Sequence, residues 1–194
     1  MSVFSFFYCI ILSPFLIPHF VAFSILGGAI YADLNRYCLI NQFRCKSRFL
    51  SFIYVMCFYK TFRNVLYYRL GKFCIILKYI KPVPTCEIKT KDIGPGLFIE
   101  HGGATYISAK SIGANFYINQ CATVGYSNYT DAPIIGNNVQ VKAGAKVFGA
   151  CRIGDGAVIG ANAVVMKDVP EKATVVGVPG TIIKINGIRV NNIK

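Results

Sequence analysis

Aliphatic residues recur every six positions late in the chain: Ile135, Val141, Val147, Ile153, Ile159 and Val165. An α-helix repeats every 3.6 residues and a half-buried strand every two, so neither produces this spacing. Gly136, Gly154 and Gly160 directly follow three of these aliphatics. A fixed short repeat marks a solenoid, and a period of six predicts a hexapeptide parallel β-helix. Three hexads make one coil of a triangular prism, with a short strand on each side and the aliphatic residue pointing in. Corners between the strands favour Gly and Asn, which tolerate left-handed backbone.

The same period appears upstream, in Ile93 and Ile99 and again in Ile112, Ile118 and Val124. Counted from Ile93, the hexads give roughly four coils. Two interruptions stand out. Between Ile99 and Ile112 the register gains a residue, around Gly102-Gly103. Between Val124 and Ile135 it is broken by GYSNYTDAP, a polar, turn-rich stretch that predicts a protruding loop. Solenoids accept insertions at corners, and inserted loops carry function.

The first 85 residues have a different pattern. Residues 1–32 contain no Lys, Arg, Asp or Glu, and the run Phe4 to Ile30 is long enough to span a bilayer. Pro14 and Pro18 predict a kink in that run, and His19 places a polar ring near its middle. The run reads as a membrane anchor or re-entrant hairpin, as a helix buried against its own oligomer, or as a leader or mis-assigned start. Residues 33–85 are basic, with Asp33 the one acidic residue. Residues 46–73 interleave aromatics with Lys and Arg and predict one or two amphipathic helices suited to an anionic membrane surface. A helical cap packed on itself or on neighbouring subunits is the alternative. If the first run spans, the basic excess after it places the remainder in the cytoplasm. Pro82 and Pro84 break the helical pattern. The division expected is a helical segment 1–32, a basic helical region 33–85, a β-helix 86–169, and a tail 170–194. In that tail TIIKINGIRV forms a strand or helix on the last coil.

Of 194 residues 54% are hydrophobic, which excludes a disordered chain. The formal charge of +13 predicts an anionic partner: a phosphate-bearing ligand or a membrane surface. The aromatics and basic residues form no nucleic-acid motif, so nucleic acid is not expected. The eight cysteines are scattered without a CxxC pair and read as reduced, mostly buried thiols. His19 and His101 are the only histidines, so no metal site is expected.

The segments IGPGLFIEHGGATYIS, INQCATVG, PIIGNNVQVKAGAKV, VVMKDVP and GVPG, in that order, resemble the hexapeptide-repeat acyltransferases. The His-Gly-Gly arrangement and single loop are similar to the serine acetyltransferase branch. The resemblance covers roughly residues 86–184. It implies a mainly β fold, a left-handed parallel β-helix preceded by α-helices. The segments AIYADLNRY and TFRNVLYYRLGKF more weakly resemble the helical part of serine acetyltransferase-like proteins found among surface-polysaccharide genes. The resemblance further implies a homotrimer and transfer of an acetyl group directly from acetyl-CoA to a hydroxyl.

His101, the only histidine of the repeat, sits where the register first fails. An alcohol is a poor nucleophile, and a neutral imidazole takes its proton as it attacks the thioester. The resemblance implies that role for His101 and an acceptor contact for Glu100. The chain departs from the family twice. The aspartate implied fifteen residues before the histidine is Cys86, which leaves the partner of His101 open between Glu87 and a backbone carbonyl. The Arg-His pair implied before the loop's closing proline is Asp131-Ala132. Asp131 thus becomes a candidate acceptor contact, and the group that recognises the serine carboxylate is absent. For acetyl-CoA the resemblance implies Ala143, Ala161, Met166 and Lys167, with Lys167 and Lys184 able to meet its phosphates as point charges.

The leading expectation is therefore a cytoplasmic O-acetyltransferase acting on a sugar hydroxyl of a surface polysaccharide or its precursor, with membrane contact through residues 1–85. Serine O-acetylation is the alternative. A trimeric scaffold without catalysis is the third reading. A zinc carbonic anhydrase needs three histidines, and a sugar nucleotidyltransferase needs a nucleotide-binding domain before the repeat. Neither fits.

Overall fold

The computed structural model describes residues 3–43 and 47–193. Cys45 and Lys46, which begin or precede the basic stretch, lie outside the described residues. The chain forms two units, Met1–Val83 and Pro84–Lys194.

The first unit is helical. α1 (Val3–Leu26) is one helix, passing through both Pro14 and Pro18. The lost helical bond at Pro14 leaves the Ile10 carbonyl without its usual donor, and the Ser13 hydroxyl donates to it at 2.8 Å. Both prolines therefore lie inside one continuous helix. Cys9, Leu16, His19 and Phe23 form its buried stripe, and Phe23 packs on Phe52 with ring centres 4.7 Å apart. α2 (Ala29–Ile40), α3 (Arg48–Phe58) and α4 (Lys60–Leu70) complete the bundle. Ser47 caps α3 by accepting from the Leu50 N–H. A 3₁₀ turn, Gly71–Leu77, follows.

The basic residues of α4 do not form a surface stripe. Arg63 is buried and donates to the carbonyls of Met56 (2.8 Å), Cys57 (3.1 Å) and Lys81 (2.9 Å), closing the C-terminal end of α3. Arg69 grips Asp33 through two bonds of 2.9 and 3.2 Å, with the Asp33 carboxylate wholly buried. The one or two helices expected over residues 46–73 are α3 and α4; α4 is buried nearly all round, and two of its cations bond inward.

The second unit is a parallel β-helix of five coils, one more than the hexad count from Ile93 suggests. The first coil holds β1 (Cys86–Ile88) and β2 (Phe98–Ile99), with Ile93 bridging to Ile112 between them. The second holds β3 (Thr105–Ile107), β4 (Ser111–Ile112) and β5 (Tyr117–Ile118). β6 (Thr123–Gly125), β7 (Ile134–Ile135) and β8 (Gln140–Val141) make the third. β9 (Lys146–Phe148), β10 (Arg152–Ile153) and β11 (Val158–Ile159) make the fourth. β12 (Val164–Val165) and β13 (Ala173–Val176) close the fifth.

Three flat sheets result. In register, Ile107, Val124, Val147 and Val165 stack on one side; Ile112, Ile135 and Ile153 on the second; Ile99, Ile118, Val141, Ile159 and Val175 on the third. All are buried, and each such side chain contributes roughly 1.5–3 kcal/mol relative to exposure. Corners use Asn115, Asn138 and Asn162 at φ 56–58°. One corner is set by close approach instead. A Cβ on Gly154 would lie 2.5 Å from the Glu171 nitrogen and 2.8 Å from the Pro170 carbonyl carbon.

The parallel ladder does not stop at Val169. β13 pairs in parallel with β11, Val158 opposite Thr174, because the turn after Pro170 returns the chain to the third sheet. The tail then folds back as β14 (Thr181–Ile185) and β15 (Ile188–Ile193), antiparallel on β13 and on each other. Asn186 and Gly187, both at positive φ, make the two-residue hairpin turn that an Asn-Gly pair favours.

Candidate active site

The extra residue read near Gly102-Gly103 resolves into two compensating changes. The inward residues Ile99 and Ile107 are eight positions apart, where their partners Ile118 and Val124 are six apart. On the next side Ile107 and Ile112 are only five apart. The corner from His101 to Ala104 therefore carries two inserted residues, and the following corner has lost one.

That corner is tightly wound. The Gly102 N–H donates to the Glu100 carbonyl at 2.7 Å, a γ-turn with His101 at its apex. His101 has φ 60°, Gly102 φ 70° and Ala104 φ 50°. Left-handed backbone at a non-glycine residue costs of order 1–3 kcal/mol and clusters at functional sites. The Ala104 N–H donates to the Thr85 hydroxyl at 3.1 Å, which fastens the far end of the corner. The His101 side chain is exposed at the tip, and no hydrogen bond holds its ring among the described residues.

Neither intrachain candidate orients that ring. Glu87 points outward on β1, opposite Tyr106, and pairs with Lys89 at 3.3 Å. Among the described residues no backbone carbonyl bonds the imidazole. Cys86, at the position where the family implies an aspartate, faces the prism interior, and burial pushes its thiol up to about 11.

Glu100, beside the histidine, is firmly held. Its carboxylate accepts from the Tyr117 hydroxyl and from Asn119 Nδ2 at 3.0 Å. Tyr117 stacks on Phe98 with centres 5.4 Å apart, and the Lys142 ammonium lies 4.4 Å above its ring. Phe98 and Tyr117 share a rung of the third sheet, and Glu100, Asn119 and Lys142 occupy the next position on successive coils. Sequence reading missed Tyr117, Asn119 and Lys142. Their signal was coil spacing: Tyr117 and Asn119 lie one coil from residues 98 and 100, and Lys142 two coils from Glu100.

Asp131 is turned into its own loop. One oxygen accepts from the Ser127 and Asn128 N–H groups at 3.0 and 2.9 Å. The other accepts from the Ser127 hydroxyl at 2.5 Å and from Asn128 Nδ2 at 3.0 Å. The Ser127 hydroxyl bond, then the Asn128 N–H, holds this exposed carboxyl below the usual carboxylate range. Asp131 thus closes the loop, with both oxygens already engaged.

The residues named for acetyl-CoA fall on two edges. Ala143 and Ala161 stack along the edge that carries His101, and the Ala143 carbonyl accepts from the Asn162 N–H at 2.9 Å. Met166 and Lys167 lie on the neighbouring edge of the last coil. They line a cavity of about 530 Å³ that reaches Pro179, Gly180 and Thr181. Lys184 is exposed on β14, opposite Thr174 and Arg189. The fold therefore brings His101, Glu100, Ala143 and Ala161 to one edge, and Met166 and Lys167 across one face from it.

The bacterial transferase hexapeptide (six repeats) family matches residues 132–167. A serine acetyltransferase from Synechococcus elongatus is 42% identical over 103 residues, covering 51% of this chain and 42% of its own length. One from Staphylococcus aureus is 45% identical over 102 residues, covering 50% and 48%. This chain thus spans less than half the length of these two relatives. Among solved structures, the soybean serine acetyltransferase apoenzyme superposes with a TM-score of 0.64 at 27% identity, over 80% of this chain and 67% of that one. The Brucella abortus serine acetyltransferase in complex with coenzyme A gives 0.61 at 25% identity, over 82% and 68%. The unit Pro84–Lys194 is therefore a hexapeptide-repeat left-handed β-helix similar to the serine acetyltransferases.

Proposed function

We propose that this chain is an acetyl-CoA-dependent O-acetyltransferase with His101 as general base. The observation that carries this reading is His101 at the apex of a strained, inserted corner, beside a fixed carboxylate and on the same edge as Ala143 and Ala161. His101 takes the proton of the acceptor hydroxyl as that oxygen attacks the thioester carbonyl. The C–S bond breaks, and the coenzyme A thiol leaves with a proton returned through the imidazole. No acyl-enzyme forms. Glu100, restrained by Tyr117 and Asn119, accepts a hydrogen bond from the acceptor and fixes its orientation. Backbone groups at Ala143 and Ala161 suit the pantetheine arm, because a larger side chain there blocks it. The cavity beside Met166 and Lys167 suits the nucleotide end, with Lys167 and Lys184 supplying positive charge.

Free L-serine is the acceptor best supported. The curated relatives reported above are named serine acetyltransferases, and a related solved structure from Neisseria gonorrhoeae, 26% identical with a TM-score of 0.61, is described in complex with serine. This displaces the sugar hydroxyl, the leading expectation above, to second place. One observation keeps the sugar as a second reading: Asp131, in place of a basic residue, is spent on closing its loop and offers nothing to a carboxylate. The unmet ring of His101 fits an assembly in which a neighbouring copy completes the site, and the reading includes a homotrimer. The compartment proposed is the cytoplasm, with attachment to the inner face of the membrane.

Thiol release from acetyl-CoA, measured with L-serine and separately with amino sugars, tests this. The wild type releases thiol with one acceptor class, and His101→Ala loses roughly 10²–10⁴-fold in rate. Equal rates in both proteins remove the mechanism. Saturation with sugars alone reverses the acceptor preference.

A further inference from the structure

The helical unit leaves one large feature unexplained by acetyl transfer. α1 buries only a narrow stripe, and Ile11, Phe15, Ile17, Val21 and Ile25 stand exposed on its outer side. The 3₁₀ turn Gly71–Leu77 is fastened to that helix: the Tyr79 hydroxyl donates to the Phe15 carbonyl at 2.7 Å, and His19 Nε2 meets the Leu77 carbonyl at 2.8 Å. On the turn, Phe73, Ile75 and Ile76 are 72–83% exposed. Three exposed cations, Lys72, Lys78 and Lys81, border them.

Charge identifies what covers this surface. Residues 1–83 hold ten basic side chains and a single acidic one, Asp33, whereas residues 84–194 hold eleven and seven. Asp33 is buried against Arg69. A second copy of this unit meets it with the same sign of charge and no accessible carboxylate. An anionic lipid surface offers both the apolar interior and the complementary charge.

We propose that the outer face of α1 and the turn Gly71–Leu77 dock on an anionic lipid bilayer. The apolar side chains enter the headgroup boundary, and Lys72, Lys78 and Lys81 meet lipid phosphates. This deepens the membrane-attached reading of the compartment and does not depend on the acetyl-transfer chemistry.

The test is flotation of the full chain with phosphatidylcholine vesicles, with and without phosphatidylglycerol, at low and high salt. Binding is expected to the anionic vesicles and to be released by salt. Each of Lys72→Gln, Lys78→Gln and Lys81→Gln weakens it about fivefold. The pair Phe73→Ser and Ile76→Ser also reduces binding, with an unchanged circular dichroism spectrum and unchanged thiol release. Equal binding to neutral vesicles, or no loss in these variants, overturns the proposal. So does binding that survives both salt and alkaline washing, which marks α1 as a spanning helix. If light scattering shows that the Ser variants dissolve an oligomer while vesicle binding persists, the surface belongs to a second copy.

Discussion

At the scale of single residues, burial decides what the cysteines can do. Cys86 and Cys151 lie inside the prism, and desolvation raises both thiols to about 11. Both stay protonated at neutral pH and react slowly, since the thiolate is the nucleophile. Cys121, by contrast, is exposed to solvent at a corner with φ 59°. Brief alkylation of the native chain at neutral pH, followed by peptide mass spectrometry, is expected to label Cys121 and to spare Cys86 and Cys151. Labelling of Cys86 at the rate of Cys121 contradicts its inward position. Histidines divide in the same way. His19 is fully buried between Tyr67, Leu77 and Tyr79, a structural residue, while His101 is exposed on a strained turn. Sequence reading singled out His101 because it breaks the repeat. It could not supply the Glu100 network, whose members are distant in sequence and meet only one coil apart.

Elements carry the next set of consequences. Ile159→Ala removes a fully buried member of a five-residue stack and should cost about 2–5 kcal/mol in denaturant unfolding. Gly154→Ala puts a methyl group against the Pro170–Glu171 backbone and should cost about 1–3 kcal/mol, although the new residue is small. A neutral result at Gly154 means that the fifth coil sits further away than its contacts indicate. The loop Gly125–Pro133 depends on ionised Asp131. Its folded pKa is depressed, so the loop's stabilisation is present above the ordinary carboxylate range and is lost as pH falls through the lower folded value. Amide exchange at Ser127 and Asn128 should therefore accelerate on acidification, and Asp131→Asn should show fast exchange at neutral pH. The loop itself was legible as a break in the repeat. Its closure was not, because Asx-type bonding at short range depends on backbone angles that composition leaves open.

At the scale of the whole molecule, the buried Asp33–Arg69 pair ties α2 to α4 within the helical unit. Asp33→Ala leaves the part-buried Arg69 guanidinium without its counter-ion and should destabilise this unit by about 2–4 kcal/mol. A thermal scan is expected to show an earlier transition for the helical unit, with the β-helix transition unmoved. A single shifted transition for both units means that they unfold together. The same pair explains why net charge misleads when residues are counted alone. Two of the basic residues in α4 are interior groups, and the surface charge of this unit falls to others, Lys72, Lys78 and Lys81 among them.

By itself the sequence determined the β-helix, because a six-residue period admits one economical packing, aliphatics inward on three flat sides. It also determined where that regularity fails, and so marked His101 and the loop before Pro133. The tertiary structure alone decided how the faults resolve: two residues inserted at one corner, one lost at the next, and a fifth coil completed by β13. It alone decided that Asp131 serves its loop, that Arg63 and Arg69 are interior, and that α1 passes through its prolines. The physical reason is common to these cases. Periodicity is a local property of the chain, whereas the partner that satisfies a buried carbonyl, a carboxylate or a guanidinium comes from elsewhere in space.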